Sequence, residues 1–219
     1  MTQLVTLRAA ITWTSVAYNA AANVAYLGGA GGELDQYDLT TKALTTLGTL
    51  AGGGINGMVY TPATFTVAPS QIVAATYSGG VMAFNPVTKT ASTLVPVGTI
   101  GNASGIAVTA AGTVYVSGYD QHKLYKLTSG GVATVLAALP GASDGVAVDE
   151  ARSRVYVVDS DLGKLHIVAM ATGAVTDAAG VYQFDGGFWP SPIAYDCNLT
   201  ALVAVNPGTP SKVSAIALP

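Results

Sequence analysis

The sequence is poor in charge and in cysteine, and each shortage excludes a class of protein. Lys, Arg, Asp and Glu together make up 10% of its 219 residues, against about 25% in an ordinary globular domain. The net charge is −3 and no cluster of Lys and Arg occurs, so the chain lacks the basic footprint that binds nucleic acid. Cys197 is the single cysteine, which excludes an internal disulfide.

Signals for membranes and secretion are also missing. The longest apolar run, Val132–Leu139, is interrupted by Thr134 and followed by Pro140, well short of the roughly 18 residues of a membrane-spanning helix. The first ten residues contain no basic stretch followed by a long apolar segment, so we expect no secretory signal there. The pattern predicts no membrane insertion, while the localisation stays open.

What the chain does contain is a short strand pattern that recurs five times. The copies read SVAY, GMVY, GIAV, GVAV and PIAY, and they begin at Ser15, Gly57, Gly105, Gly145 and Pro192. Their spacing of about 40–50 residues is the length of one β-propeller blade. Each copy is followed by further Val-, Tyr- and Thr-rich segments separated by Gly, Asn, Asp and Thr turns, which predicts strands and not helices.

The repeat predicts an all-β fold: a single five-bladed β-propeller with four-stranded antiparallel blades. We expect one domain over 1–219, with blades at about 10–50, 51–99, 100–139 and 140–186, and the last at 187–219 plus 1–9. Only three strands fit after Pro192, whereas Gln3–Ala9 has the pattern of an outer strand. We therefore predict that the N-terminal strand completes the C-terminal blade and closes the ring, because an open ring would expose sheet edges.

Two stretches are similar to the NHL-type propeller repeat. Residues 104–128 contain GIAV, VYVS and KLYKL, and residues 143–168 contain DGVAVD and VYVVD. The resemblance extends at fold level to the NHL/SMP-30-like (YVTN-type) repeat superfamily, which includes gluconolactonase-like and strictosidine-synthase-like propellers. Those relatives have six blades, whereas this chain has room for five.

The resemblance implies a place to look for a metal site. In the lactonase-like relatives a divalent metal at the channel mouth is held by a Glu, an Asn before one Gly and an Asp before another. The corresponding positions here are Thr14, Asn56, Ser104, Asp144 and Ser191, with no Glu among them. Because Ca²⁺ usually requires six or more oxygens with carboxylate charge, we expect no metal and no cofactor. We expect these side chains to bond to backbone or channel water instead.

Residues that could carry catalysis are scattered. His122 and His166 fall in different predicted blades, and no known catalytic motif is present. We expect Cys197 to be a small buried apolar residue and not a nucleophile. Asp159 and Asp161 could act as an acid and base pair, but Asp-Ser-Asp-Leu-Gly is also typical of a polar turn. We expect no catalytic residues.

The most unusual stretch is aromatic. Tyr182, Phe184, Phe188 and Trp189 lie within Val181–Pro192, in the connection between the fourth and fifth blades. Such rings could stack on a sugar or anchor a protein partner. They could equally pack between blades and cover one face of the ring, and the sequence leaves both interpretations open.

The leading functional hypothesis is a non-catalytic binding or assembly propeller. The low charge supports it, because a freely soluble monomer usually has a more charged surface. The expected partner is a protein or a glycan, with homo-oligomerisation or incorporation into a particle such as a virion as a further hypothesis. The alternatives are an SMP-30/gluconolactonase-like metal-dependent hydrolase acting through Asn56 and Asp144, and a lectin. The aromatic residues do not recur at one position of every blade, which disfavours five equal sugar pockets.

Overall fold

The structure, a computed structural model, describes residues 6–128, 130–178, 192–206 and 212–218. Those residues form 19 strands and no helix, and among them no helix could span a membrane. The strands make five antiparallel sheets arranged as a five-bladed β-propeller, which confirms the predicted fold class. We number the blades in chain order.

The first three blades each contain four strands in sequential order. Blade 1 consists of β1 (Trp13–Asn19), β2 (Val24–Gly29), β3 (Glu33–Asp38) and β4 (Leu44–Thr49). Blade 2 consists of β5 (Ile55–Tyr60), β6 (Ile72–Thr76), β7 (Val81–Asn85) and β8 (Thr90–Val95). Blade 3 consists of β9 (Ala103–Val108), β10 (Val114–Gly118), β11 (Lys123–Leu127) and β12 (Ala133–Ala138).

The last two blades differ in their outermost strand. Blade 4 consists of β13 (Ser143–Asp149), β14 (Arg154–Asp159), β15 (Lys164–Ala169) and the short β16 (Val175–Asp177). Blade 5 is described with three strands, β17 (Ile193–Asp196), β18 (Ala201–Asn206) and β19 (Lys212–Ala217). The first strands of blades 1 to 4, β1, β5, β9 and β13, each contain one copy of the repeated tetrapeptide. In blade 5, β17 begins at the second residue of its copy, and all five strands line the central channel.

Residue type follows the position of the strand in its blade. The second strands are buried along their whole length in blades 2 and 3, where β6 reads IVAAT and β10 reads VYVSG. Their small and β-branched side chains pack against a neighbouring blade on each face. The outermost strand of blade 2 reads TASTLV and is exposed over its first four residues. Four apolar clusters join blades 1–2, 2–3, 3–4 and 4–5.

Glycines in the channel-lining strands allow these strands to approach one another. A Cβ added to Gly57 would lie 2.6 Å from the backbone oxygen of Ser104 in the next blade, and one added to Gly105 would collide with the backbone oxygen of Asp144. Any larger residue would therefore push two blades apart. The recurrent glycine of the repeat is thus a packing requirement of the channel wall.

The predicted closing strand, Gln3–Ala9, is only partly within the described residues. Residues 1–5 lie outside them, and residues 6–9 belong to no strand. Arg8 instead reaches blade 1, where its guanidinium donates hydrogen bonds of 2.9 and 2.6 Å to the two carboxylate oxygens of Asp35. The Asp35 side chain is fully buried, so this ion pair fastens the start of the chain to blade 1. Closure of blade 5 by the N-terminal strand remains a prediction.

Candidate functional site

The channel mouth brings together the residues that precede the repeated tetrapeptides. Thr14, Asn56, Ser104 and Asp144 line one cavity of about 480 Å³ at the start of the channel-lining strands. The fifth predicted position, Ser191, lies outside the described residues, although its neighbour Pro192 borders the same cavity. Sequence spacing therefore located this site in the four blades that can be checked.

Three of these four side chains, those of Thr14, Asn56 and Ser104, form hydrogen bonds with the next blade. The Thr14 hydroxyl of blade 1 bonds to the carbonyl oxygen of Ile55 in blade 2 and lies 3.1 Å from that of Gly28. The Asn56 amide of blade 2 donates a bond of 2.7 Å to the carbonyl oxygen of Ala103 in blade 3. Blades 1 and 2 are thereby each connected to the following blade at the channel mouth.

The third connection ends on a carboxylate. The Ser104 hydroxyl of blade 3 donates to a carboxylate oxygen of Asp144 in blade 4. Ser117, also in blade 3, donates a bond of 2.5 Å to the backbone oxygen of Asp144. Both Ser104 and Asp144 are buried, and buried polar groups of this kind stabilise a structure only when they have partners. Thr14 and Asn56 therefore bond to the backbone of the next blade, whereas Ser104 bonds to a side chain there.

Apart from Ser15, the other side chains of the cavity wall are apolar. Each blade contributes the second residue after its channel-mouth position, and these are Val16, Met58, Ile106, Val146 and Ile193. Leu27 and Val203 extend the wall outward between blade 1 and blade 5. Ligand pockets usually measure about 300–1,000 Å³ and combine apolar walls with few polar groups. The channel mouth matches that description.

Trp13 is a residue of this cavity that the sequence reasoning missed. It lines the cavity beside Thr14, and the Arg8 guanidinium lies over its ring at 5.5 Å from the centroid. Its indole Nε1 is buried and has no hydrogen-bond partner among the described residues. The aromatic residues that were predicted instead, Tyr182, Phe184, Phe188 and Trp189, lie outside the described residues, so their role stays a prediction.

A buried histidine cluster lies in blade 4, away from the channel. The ring of His166 has Nε2 3.1 Å from a carboxylate oxygen of Asp159 and Nδ1 2.9 Å from one of Asp177. The His166 side chain is almost completely buried. Both ring nitrogens therefore lie within hydrogen-bond distance of a carboxylate. The cluster therefore ties the end of β14 to β16.

Lys164 completes this cluster at the surface. Its ammonium donates a bond of 2.8 Å to Asp177, and this contact, ahead of the His166 ring, lowers the pKa of the Asp177 carboxyl below its ordinary value. The spacing of these residues in the sequence did not predict the cluster. Asp177 pairs with His166 across β15 and β16, and this register depends on the length of the turn between the two strands. Asp161 takes no part in it and lies exposed in the turn after Asp159.

Two other sequence-based expectations can be checked directly. Cys197 is exposed, so the expectation of a buried cysteine was wrong: it lies in the turn between β17 and β18 and not on the buried face of a strand. His122 lies in the turn between β10 and β11 with a positive φ of 52°, in blade 3 and apart from His166 in blade 4. Within the described ranges, no group of three or more His, Cys, Asp or Glu is arranged to hold a metal ion.

Comparison with known proteins supports the fold and no more specific family. No family model matches the chain, and no curated protein matches its sequence. Among solved structures, a chain from the crystal structure of a nidogen/laminin complex superposes with a TM-score of 0.70 at 14% identity, over 95% of this chain and 81% of that one. The specific likeness to NHL/SMP-30 propellers is not supported.

Two further neighbours show the same architecture. Virginiamycin B lyase from Staphylococcus aureus, in its catalytically inactive H270A form with quinupristin, superposes with a TM-score of 0.69 at 9% identity, over 95% of this chain and 71% of the lyase. An auxiliary nutrient binding protein from Bacteroides thetaiotaomicron gives a TM-score of 0.68 at 14% identity, over 93% of this chain and 59% of that one. At such identities the likeness establishes a β-propeller and nothing finer.

Proposed function

We propose that this chain is a non-catalytic binding or assembly module that holds an apolar group of a partner at its channel mouth. One observation carries the proposal: the polar side chains at the mouth are used for bonds between blades, which leaves a cavity with apolar walls. Thr14, Asn56 and Ser104 each donate to the following blade. A side chain engaged in this way would have to abandon a buried bond before it could bind a ligand.

The apolar wall favours a protein over a glycan as the partner. A sugar requires several hydrogen bonds from its pocket, whereas Val16, Met58, Ile106 and Val146 offer none. An aliphatic or aromatic side chain of a protein gains free energy from contact with such a surface. The low charge of the chain agrees with assembly into a larger particle, of which a virion is one case. The aromatic residues Tyr182, Phe184, Phe188 and Trp189 belong to the same proposal as a second contact region.

The solved neighbours support binding as a role that this architecture can have. One comes from a nidogen/laminin complex, and another is described as a nutrient binding protein. A third is a lyase, so the architecture also serves enzymes and the choice must rest on the site. Function resides in a site and not in a fold, and the site here is structural at its polar positions and apolar elsewhere.

The experiment distinguishes a non-catalytic module from a hydrolase and from a lectin. The purified chain and Asp144→Ala are incubated with lactone and ester substrates, with and without added Ca²⁺ or Zn²⁺, and both proteins are applied to a glycan array. We expect no turnover above background from either protein and no glycan binding. Metal-dependent turnover that Asp144→Ala abolishes would establish the hydrolase alternative, and specific glycan binding would establish the lectin.

A further inference from the structure

In blades 2 to 5, the first strand uses two side chains to seal the contact with the preceding blade. Met58 and Tyr60 of blade 2 pack against blade 1, and Ile106 and Val108 of blade 3 pack against blade 2. The same two positions in blades 4 and 5 also contact the preceding blade; they are Val146, Val148, Ile193 and Tyr195. These two positions therefore identify the surface of a blade that faces the preceding blade.

In blade 1 the same two positions are uncovered. Val16 is 62% exposed and Tyr18 is 54% exposed, whereas Met58, Ile106 and Val146 are between 4% and 8% exposed. The residue type is apolar in every case, so the difference lies in what covers it. We call the space between blade 5 and blade 1 the seam; it is bounded by Val16, Tyr18, Leu27, Ala194 and Val203.

The side chain of blade 5 that faces the seam is also smaller than its counterparts in blades 1, 3 and 4. In blade 5, Val203 of the second strand pairs with Ala194 of the first strand. The equivalent alanine in blades 1, 3 and 4 pairs with a tyrosine; the pairs are Ala17–Tyr26, Ala107–Tyr115 and Ala147–Tyr156. Those tyrosines are buried between blades, and two of them stack on a tyrosine of the next blade, with ring centroids 5.6 Å apart for Tyr26–Tyr60 and 6.4 Å apart for Tyr156–Tyr195. Blade 2 has Val73 at this position, opposite Val59, and an apolar cluster with blade 3 covers it. Val203 belongs to no such cluster with blade 1 among the described residues, and a valine fills less space there than a tyrosine would.

The seam is continuous with the channel-mouth cavity. Val16, Leu27, Ala194 and Val203 all line that cavity, and none of them carries a charge or a hydrogen-bonding side chain. No apolar cluster formed by the described residues joins blade 5 to blade 1, in contrast to the four other interfaces. Among the described residues, the seam therefore lacks the apolar side chains that fill the other four interfaces.

We propose that the seam binds an extended segment of a protein partner that inserts an aromatic side chain between Val16 and Val203. Three of the four other interfaces show which occupant fits: a tyrosine ring at this height, flanked by small or aliphatic residues. The inference rests on the proposed binding function and names the class of partner. The inserted ring would take the place that Tyr26, Tyr115 and Tyr156 have in their own blades. The backbone of the partner segment would extend from the channel mouth.

A probe peptide and three variants test the inference. The probe is fluorescein-labelled Ala-Val-Tyr-Val-Ala, and its matched control has Ser in place of Tyr; binding is followed by fluorescence anisotropy. We expect Val16→Asp to weaken probe binding at least tenfold. Val87→Asp changes a valine that is 87% exposed in a distant turn and should leave binding unchanged. Val203→Tyr, which copies blades 1, 3 and 4, should fill the seam, abolish binding and raise the melting temperature.

Several results would overturn the inference. Equal binding of the Tyr and Ser peptides, or none of either, would exclude an aromatic insertion site. A lower melting temperature for Val203→Tyr would mean that the seam is already filled. A concentration-dependent dimer that Val16→Asp disrupts, measured by light scattering, would assign the seam to a second copy of this chain. Hydrolytic turnover would refute the binding function itself, whereas peptide failure without turnover refutes only the seam.

Discussion

At the scale of single residues, the channel mouth depends on side chains that reach across to another blade. Ser104 and Asp144 are the buried pair among them, and the carboxylate takes the Ser104 hydroxyl as a donor. A carboxylate removed from water loses much of its hydration, so each donor that remains matters. This pair should therefore contribute more to stability than the neutral contacts of Thr14 and Asn56.

Ser104→Ala should destabilise the protein by about 2 kcal/mol, the scale of a hydrogen bond to a buried charged group. Ser92→Ala is the matched control, because Ser92 is exposed on β8, and it should change the unfolding free energy by no more than about 0.5 kcal/mol. Urea denaturation of both variants measures the difference. Equal stabilities would show that the Ser104 contact has no energetic role.

A second residue-scale feature is the backbone of the turns between the third and fourth strands. Lys42 and Lys89 adopt positive φ angles of 63° and 56°, where the equivalent turns of blades 3 and 4 have Gly131 and Gly173. A left-handed conformation costs a residue with a Cβ roughly 1–2 kcal/mol. Glycine avoids this cost but makes the unfolded chain more flexible.

Lys89→Gly should therefore stabilise the protein, by up to about 1 kcal/mol after the entropy of the unfolded chain is counted. The side chain is exposed, so no packing is lost. Gly173→Ala is the reciprocal change, and it should destabilise, since its Cβ would also collide with the backbone oxygen of Leu136. Thermal melting of the two variants should shift in opposite directions. A shift in the same direction would contradict the strain argument.

At the scale of strands and turns, the loop before blade 4 passes close to the buried histidine cluster. A Cβ on Gly141 would lie 2.6 Å from both carboxylate oxygens of Asp159. That carboxylate cannot move aside freely, because it accepts a bond of 2.9 Å from the Leu162 amide and contacts His166 at 3.1 Å. The loop can cross here only with glycine.

Gly141→Ala should cost about 1–3 kcal/mol, the usual penalty of overpacking a fixed interior. The control is Gly130→Ala, whose nearest neighbour would be the Thr128 hydroxyl at 3.7 Å. Since the strain falls on Asp159, the His166 ring protons should also shift in the NMR spectrum of the first variant. A stable Gly141→Ala with an unchanged His166 signal would mean that the loop moves away without cost.

The strands were predictable from sequence and the contacts between blades were not. The tetrapeptides that begin at Gly57 and Gly105 were predicted as strands and lie in β5 and β9, because alternation within a strand is a local property. The position of Asn56 at the channel mouth followed from blade spacing. Its bond to Ala103, the pairing of His166 with Asp177 and the burial of Asp35 by Arg8 depend on side-chain directions between distant segments. No local pattern encodes those directions.

At the scale of the whole molecule, stability depends on how the chain start is fastened. Arg8→Ala removes the partner of buried Asp35 and should cost about 2–3 kcal/mol. Deleting residues 1–9 removes the same partner together with the predicted closing strand, so it should cost several kcal/mol more out of a total of about 5–15 kcal/mol. Calorimetric melting of both proteins separates the two effects. A deletion no worse than Arg8→Ala would refute closure of blade 5 by the N-terminal strand.

The blades contact one another in chain order, and this order determines where the molecule should unfold first. Each blade packs against its immediate neighbours, so local stability should vary along the ring as in a linear array of repeats. Blades 2, 3 and 4 have sealed interfaces on both sides, whereas blades 1 and 5 meet at the seam. Amide hydrogen exchange should therefore be slowest in β6 and β10 and fastest in β17 and β18. Opening would begin at the seam and travel around the ring in both directions, toward blade 3.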